Sequence, residues 1–178
     1  MNNKEKEYNI AVFRPKYSKW AYLSLLGIII FIGWLQYVMF TFFNQIGIIP
    51  FIITSILLCS ILLYSIFLLC IYHTMRYELR NDGLYLICGP VHSKIDYKTI
   101  ETIEKTDLPL DIISSTRLPG YALFNVPYGN RGTIRMYSTS ALKNILLIKT
   151  NDGKQYGITP KDEEGFLKEL KLRIDAKE

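Results

Sequence analysis

The sequence predicts a two-helix transmembrane hairpin followed by a mainly-β domain of about seven antiparallel strands and a C-terminal capping helix. Three observations carry that expectation. Residues 20–43 and 51–72 are apolar throughout and contain no Asp, Glu, Lys or Arg. From Met75 onward, short runs of alternating apolar and polar residues are punctuated by Asn-Asp-Gly. Near the C-terminus, Phe166, Leu167, Leu170 and Ile174 recur at helical spacing.

Each apolar stretch is long enough to exceed the ~30 Å hydrocarbon core of a bilayer at a rise of about 1.5 Å per residue. A lone segment in hydrocarbon satisfies its backbone only as a helix. The basic start and first apolar run resemble a secretory signal, but the run is too long and no small-residue cleavage pattern follows it. Both segments are therefore expected to be retained spans. Gln36 is the strongly polar side chain of the first, and Thr54, Ser55, Ser60 and Ser65 lie in the second. Gln36 is expected to face the partner helix. A transport path would carry ionisable residues within the spans, and none is there.

Charge orients the hairpin. The net charge is +5, and Lys4, Lys6, Arg14, Lys16 and Lys19 against Glu5 and Glu7 place +3 of it in residues 1–19. Arg76 and Arg80 follow the second span, whereas residues 44–50 are uncharged. The positive-inside bias thus predicts an inner (cytoplasmic) membrane protein with both termini cytoplasmic and residues 44–50 forming an external loop. Trp20, Tyr22 and Tyr72 fall where interfacial aromatics belong. Cys59, Cys70 and Cys88 form no Cys-x-x-Cys pattern, which argues against a disulfide framework or zinc site and suits a reducing compartment.

Residues 1–19 form a basic arm, in which Ile10-Ala11-Val12-Phe13 is either a brief strand or an interfacial segment. Residues 75–80 alternate as a half-buried strand, Asn81-Asp82-Gly83 supplies a tight turn, and residues 84–88 return. Residues 93–97 and 99–104 are two further strands, or a strand and a turn. Residues 108–131, with Pro109, Pro119, Gly120, Pro127 and Gly129, show little periodicity and are expected to run as a long surface loop. Strands resume at residues 132–138 and 144–150, then turn at Asn151-Asp152-Gly153 into residues 154–159. The last helix is expected to start at Thr159 as N-cap with Pro160 first, placing Asp162, Glu163 and Glu164 in its opening turn. Lys168, Lys171 and Arg173 are expected to lie off its apolar stripe.

Strands in this order followed by one helix resemble a pleckstrin-homology fold. The resemblance to membrane-anchored bacterial pleckstrin-homology-like domains, which stand behind two spans, rests on particular residues. These are Tyr77-Glu78-Leu79-Arg80-Asn81-Asp82-Gly83-Leu84, residues 100–103, Leu118-Pro119-Gly120-Tyr121, Arg135-Met136-Tyr137-Ser138-Thr139, Asp152-Gly153, and Tyr156-Gly157-Ile158-Thr159-Pro160-Lys161-Asp162 before Phe166. The domain would span residues 75–174. The resemblance implies a binding module and supplies no catalytic residues; some such proteins look like bacteriocin immunity proteins.

Candidate chemistry is sparse. His92, Ser93 and Asp96 are close in sequence, but a Ser-His-Asp site needs a histidine held by a carboxylate and facing a nucleophile. Solvated surface residues explain them equally well. No catalytic, cofactor or metal residue is expected. The first hairpin lacks the Lys/Arg cluster of inositide-binding members, and no basic stripe suggests nucleic acid. Arg117, Arg131 and Arg135 flank the long loop and either meet anionic headgroups or are ordinary solvated charges. Tyr121, Leu123, Phe124, Val126 and Tyr128 within it either offer aromatic anchors to a protein or fold under to extend the core. The partner-binding set is accordingly Arg117, Tyr121, Phe124, Tyr128, Arg131 and Arg135. The expected function is a non-enzymatic module at the cytoplasmic face, engaging the bilayer and a membrane-associated protein or a second copy. Bacteriocin immunity and anionic-lipid binding are the alternatives.

Overall fold

The computed structural model describes residues 10–16, 18–108, 117–118, 121–128, 131–140 and 142–177, with the backbone alone at Asn44, Ile46, Arg117, Leu118 and Tyr121. Strand β1 (Ala11–Phe13) precedes helix α1 (Lys19–Thr41), and a single turn, α2 (Phe43–Ile46), leads into α3 (Ile48–Thr74). Ser18 caps α1 by accepting from the Ala21 amide. Gly47, at φ 83°, makes the corner before α3, a left-handed geometry that glycine adopts without strain. The second helix starts at Ile48, ahead of the expected position 51, because Pro50 falls in its first turn, where an amide N–H is unpaired in any case.

α1 and α3, of 23 and 27 residues, are long and apolar enough to cross a bilayer. Gln36 Nε2 donates to Ser55 Oγ at 3.0 Å, so Gln36 does face the partner helix. Ser60 and Ser65 instead donate to carbonyls four residues back in their own helix. Most other hairpin side chains, including Trp34, Phe40 and Leu63, are exposed.

The domain begins one residue after α3. β2 (Arg76–Arg80), β3 (Gly83–Cys88) and β4 (Val91–Ile95) form an antiparallel meander, and β1 pairs with the free side of β2. This four-stranded sheet runs β1-β2-β3-β4. A 3₁₀ turn at Tyr97–Thr99 leads to β5 (Ile100–Thr106), then β6 (Arg117–Leu118), β7 (Tyr121–Pro127), β8 (Thr133–Ser138), β9 (Ile145–Thr150) and β10 (Gln155–Ile158). These make a second sheet ordered β5-β9-β10-β8-β7-β6, in which β10 lies parallel to β8 and antiparallel to β9. Helix α4 (Glu163–Asp175) follows.

Two apolar clusters result. Leu146 and Ile148 of β9 face the main core, with Tyr77, Leu79, Leu84, Leu86, Phe166 and Leu170. Ile145 and Leu147, on the other side of the same strand, join Ala122, Val126, Tyr128, Ile134 and Met136. A strand buried on both faces needs an unbroken apolar run, which Ile145-Leu146-Leu147-Ile148 provides. The buried Tyr77 hydroxyl ties the sheets together: it donates to the Tyr137 carbonyl at 2.6 Å and accepts from the Thr159 amide at 3.2 Å. Burial holds its pKa far above the ordinary tyrosine value, so it stays a donor.

Three expectations need correction. Residues 108–131 are not one irregular loop, since β6 and β7 lie within them. Pro127 is the last residue of β7 and leaves its interior unbroken, while Pro119 and Gly120 lie outside the described residues. Phe124 takes φ 65° and packs beside Leu123 against the main core, which erases the period-two signal. The α4 N-cap is Asp162, whose carboxylate accepts from the Gly165 amide at 3.0 Å, rather than Thr159. Thr159 is buried instead, with its hydroxyl accepting from the Thr139 amide at 2.9 Å. Arg173 does not lie off the stripe: it follows Leu170 by three positions and is 3% exposed, paired with Glu169 at 2.8 Å.

Candidate functional site

The place where the hairpin enters the β-domain is built by residues far apart in sequence. Ala21 and Leu25 of α1 and Leu68, Ile71 and Tyr72 of α3 belong to the same apolar cluster as Met75, Tyr77 and Cys88 of the barrel. Gly89, in the turn from β3 to β4, takes φ 59° and sits so close to Ile71 that a Cβ there would lie 2.9 Å from Ile71 Cγ1. Tyr22 and Tyr72 meet edge to face at 5.0 Å, a favoured aromatic geometry. The Tyr72 hydroxyl accepts from the Ser18 amide at 2.8 Å, and Tyr22 shares a 2.6 Å hydrogen bond with His73 Nδ1. The domain is therefore joined to the hairpin by a common core. Burial also pushes the Cys88 thiol in this core up to about 12, which keeps it protonated.

The residues on either side of β1 make the seam between the two sheets. Ala11, Val12 and Phe13 pair with Leu79, Glu78 and Tyr77. Immediately afterwards the Lys16 amide donates to the Thr159 carbonyl at 2.8 Å, and the Lys161 amide donates to the Arg14 carbonyl at 2.9 Å. Phe13 packs edge to face on Phe166 at 5.3 Å. The alternative left open for Ile10-Ala11-Val12-Phe13 thus resolves to a strand that joins the domain.

On the outer face of the first sheet, Glu78 is held between Arg76 Nε at 2.6 Å and Arg80 Nη2 at 2.6 Å. Burial alone would raise its pKa, but the two arginine hydrogen bonds outweigh it and hold the carboxyl below the usual range. Arg80 also stacks 4.2 Å from the Tyr85 ring centroid. Both arginines are thus engaged within the sheet.

The six residues expected to meet a partner do not gather at one place. Arg117 and Tyr121 lie in the β6–β7 hairpin, where Arg117 pairs with Ala122, itself opposite Ser138. Tyr128 and Arg131 lie at the other end of β7, roughly 20 Å away at about 3.3 Å per residue. Tyr128 is fully buried and serves the second cluster. Phe124 is half-buried, and Arg135 is exposed in mid-strand opposite Asn125. Arg131 pairs with Glu104 at 3.4 Å. Arg135 is exposed opposite Asn125, the strand neighbour of half-buried Phe124. In the sequence the seam shows only as apolar Ile10-Ala11-Val12-Phe13, and the Tyr22–Tyr72–His73 cluster only as interfacial aromatics; tertiary pairing brings these residues together.

His92, Ser93 and Asp96 have separate partners or settings. Ser93 Oγ bonds the Tyr137 hydroxyl at 2.7 Å, Asp96 caps the 3₁₀ turn through the Lys98 amide, and His92 is exposed on β4. Adjacent strand residues point to opposite faces, so sequence proximity does not assemble a triad. An open hollow of about 310 Å³ lies between the 3₁₀ turn and the end of α4, lined by Tyr97, Lys98, Ile100, Ile174 and Lys177. Burial pushes the Tyr97 phenol up to about 12 although Arg173 pulls it the other way. Among the described residues, no group of three or more His, Cys, Asp or Glu is placed to hold a metal ion.

Two apolar helices leading into two packed β-sheets and a covering helix define a pleckstrin-homology-like module. The comparison with known families agrees: residues 75–174 match the family described as Bacterial PH domain, and the chain belongs to it. No curated protein matches the chain, and no solved structure does. Domains of this kind are binding modules and are generally non-catalytic.

Proposed function

We propose that this is a membrane-anchored, non-enzymatic module that holds its barrel against the cytoplasmic face and engages a membrane-associated protein or a second copy of itself. The observation that carries it is the core shared by Ala21, Leu25, Leu68, Ile71 and Met75. A domain fixed in this way works at a set height and orientation. The exposed apolar side chains around α1 and α3 favour a hydrocarbon setting, because soluble monomers rarely expose so large a contiguous patch. Pairing of β1 with β2 favours both ends of the hairpin on one side, in agreement with the charge bias.

The direction of β2 bears on the partner. β2 leaves the end of α3, and the β3–β4 turn returns to Ile71, so Asn81-Asp82-Gly83 lies at the opposite end of the sheet. That tip, which lacks the Lys/Arg cluster of inositide-binding members of the wider fold, lies here at the end of the sheet away from the helices. A protein contact through the surface around Phe124 and Arg135, with Arg117, Tyr121 and Arg131 at its ends, fits this arrangement better. A second reading, contact with anionic headgroups, draws support from exposed Arg14, Lys16 and Lys19 beside the start of α1.

Photo-crosslinking in native membranes from probes at Arg135 and at Tyr121 tests the proposal. One discrete protein adduct, or a defined homodimer, is expected. Adducts with lipid alone would move the function to headgroup recognition, and release of the chain by alkaline carbonate would refute the anchor.

A further inference from the structure

The seam filled by residues 10–16 has the form of an occupied peptide-binding slot. One wall is the edge of β2, which pairs with Ala11, Val12 and Phe13 in antiparallel register. The other wall is residues 159–161, which exchange backbone hydrogen bonds with Arg14 and Lys16 and form an antiparallel bridge from Pro160 to Pro15. The floor is Phe166, fully buried, which receives the Phe13 ring at 5.3 Å and stands 6.2 Å from Tyr77. Ala11 and Phe13 pack on the main core, whereas Ile10 and Val12 are 60% and 53% exposed. Strand addition of this kind draws affinity from the main chain and selectivity from alternate side chains.

The occupant is held by a short contact. β1 has three residues and covers only Tyr77, Glu78 and Leu79 of β2. It is not continuous in sequence with the rest of the domain, since the whole hairpin lies between β1 and β2. The segment therefore behaves toward the barrel as a tethered ligand rather than as an interior strand.

We infer that the slot between β2 and residues 159–161 is a peptide-binding site of this domain, held by its own N-terminal segment and able to accept an extended segment of the same pattern. That pattern is a small residue and an aromatic residue two apart, followed by proline two positions on, as in Ala11, Phe13 and Pro15. The site is distinct from the surface around Phe124 and Arg135, and it does not depend on what that surface binds. Only residues 14–18 link the segment to α1, which shares the domain's core, and so short a tether sets an effective concentration on the order of millimolar; the resident segment thus excludes weak competitors and yields only to a longer or better-fitting strand.

The test uses the full chain in detergent micelles or nanodiscs and a fluorescent peptide of residues 9–17. The chain lacking residues 1–13, provided it retains a cooperative thermal transition, should bind the peptide saturably. A peptide carrying Phe13→Ala should bind at least about tenfold more weakly, and the intact chain should resist labelling up to about millimolar peptide. Equal binding to intact and shortened chains, or none to a folded shortened chain, overturns the inference. If the shortened chain does not fold, Phe13→Ala in the full chain replaces it. Amide exchange at Tyr77 and Leu79, whose N–H groups face β1, should then quicken and be slowed again by wild-type peptide at millimolar concentration. Exchange that the peptide leaves unchanged overturns the proposal equally.

Discussion

Phe166→Ala removes the side chain on which the seam, the first sheet and α4 converge. Phe166 is fully buried, meets Phe13 edge to face at 5.3 Å and lies 6.2 Å from Tyr77. Truncating a buried phenylalanine to alanine costs about 3–5 kcal/mol, from lost transfer energy and the cavity left behind. An edge-to-face contact adds about 0.5–1.5 kcal/mol. A loss near 4–5 kcal/mol lowers the midpoint of a domain of this size by about 16–40 °C, at roughly 4–8 °C per kcal/mol. Both tryptophans, Trp20 and Trp34, lie in α1, so their fluorescence does not report on the barrel. Near-ultraviolet circular dichroism, sensitive to the barrel's buried tyrosines, is the better signal. Leu172→Ala, on the same helix but 49% exposed, is the control and should shift the midpoint little. If Phe166→Ala and Leu172→Ala behave alike, α4 does not close the barrel as described.

Further changes probe separate parts of the structure. Tyr77→Phe strands the Tyr137 carbonyl and the Thr159 amide, and should cost about 1–3 kcal/mol in denaturant unfolding. Gly89→Ala combines a left-handed φ of 59° with a clash at Ile71, and should cost about 1–3 kcal/mol; an unchanged midpoint would show that the turn is not seated on α3. The Glu78 carboxyl is depressed in the folded state, so its contribution is present above its unfolded value of about 4.3 and is lost as pH falls through the folded value. The double variant Arg76→Gln, Arg80→Gln leaves burial unopposed and raises that carboxyl, so ionised Glu78 should then cost stability: the denaturant midpoint should fall at pH 7 and differ little from that of the unaltered chain at low pH, where Glu78 is neutral in both. Gln36→Leu removes the hydrogen bond to Ser55 and should weaken helix association by about 0.6–2 kcal/mol, read by interhelical disulfide trapping.

Much of this architecture is legible wherever the determinants are local. The spans follow from uncharged length, the turn after Arg80 from Asn81-Asp82-Gly83, and the core face of α4 from Phe166 and Leu170. What escapes is long-range or locally masked. The role of Phe13 depends on Tyr77 and Phe166, and nothing near Phe13 announces either. β7 is hidden because Phe124 at positive φ disturbs the alternation between Leu123 and Val126. Thr159-Pro160 carries a helix-start signal that tertiary pairing overrides, as Thr159 is drawn into the core by Thr139 and Tyr77. The six residues of the expected partner surface are neighbours in sequence, and a strand of seven residues separates their ends in space.

The hydrogen bonds from residues 14–16 to residues 159–161 join segments made well over a hundred residues apart in synthesis. When the first of them leaves the ribosome, neither wall of its slot exists. Both helices are complete before β2, and α4 follows both sheets. Closure of the seam is thus a late checkpoint on assembly. A chain whose leading segment had been carried across the bilayer would keep β2 uncovered and Phe166 unshielded, a state that proteases and chaperones recognise by its open sheet edge.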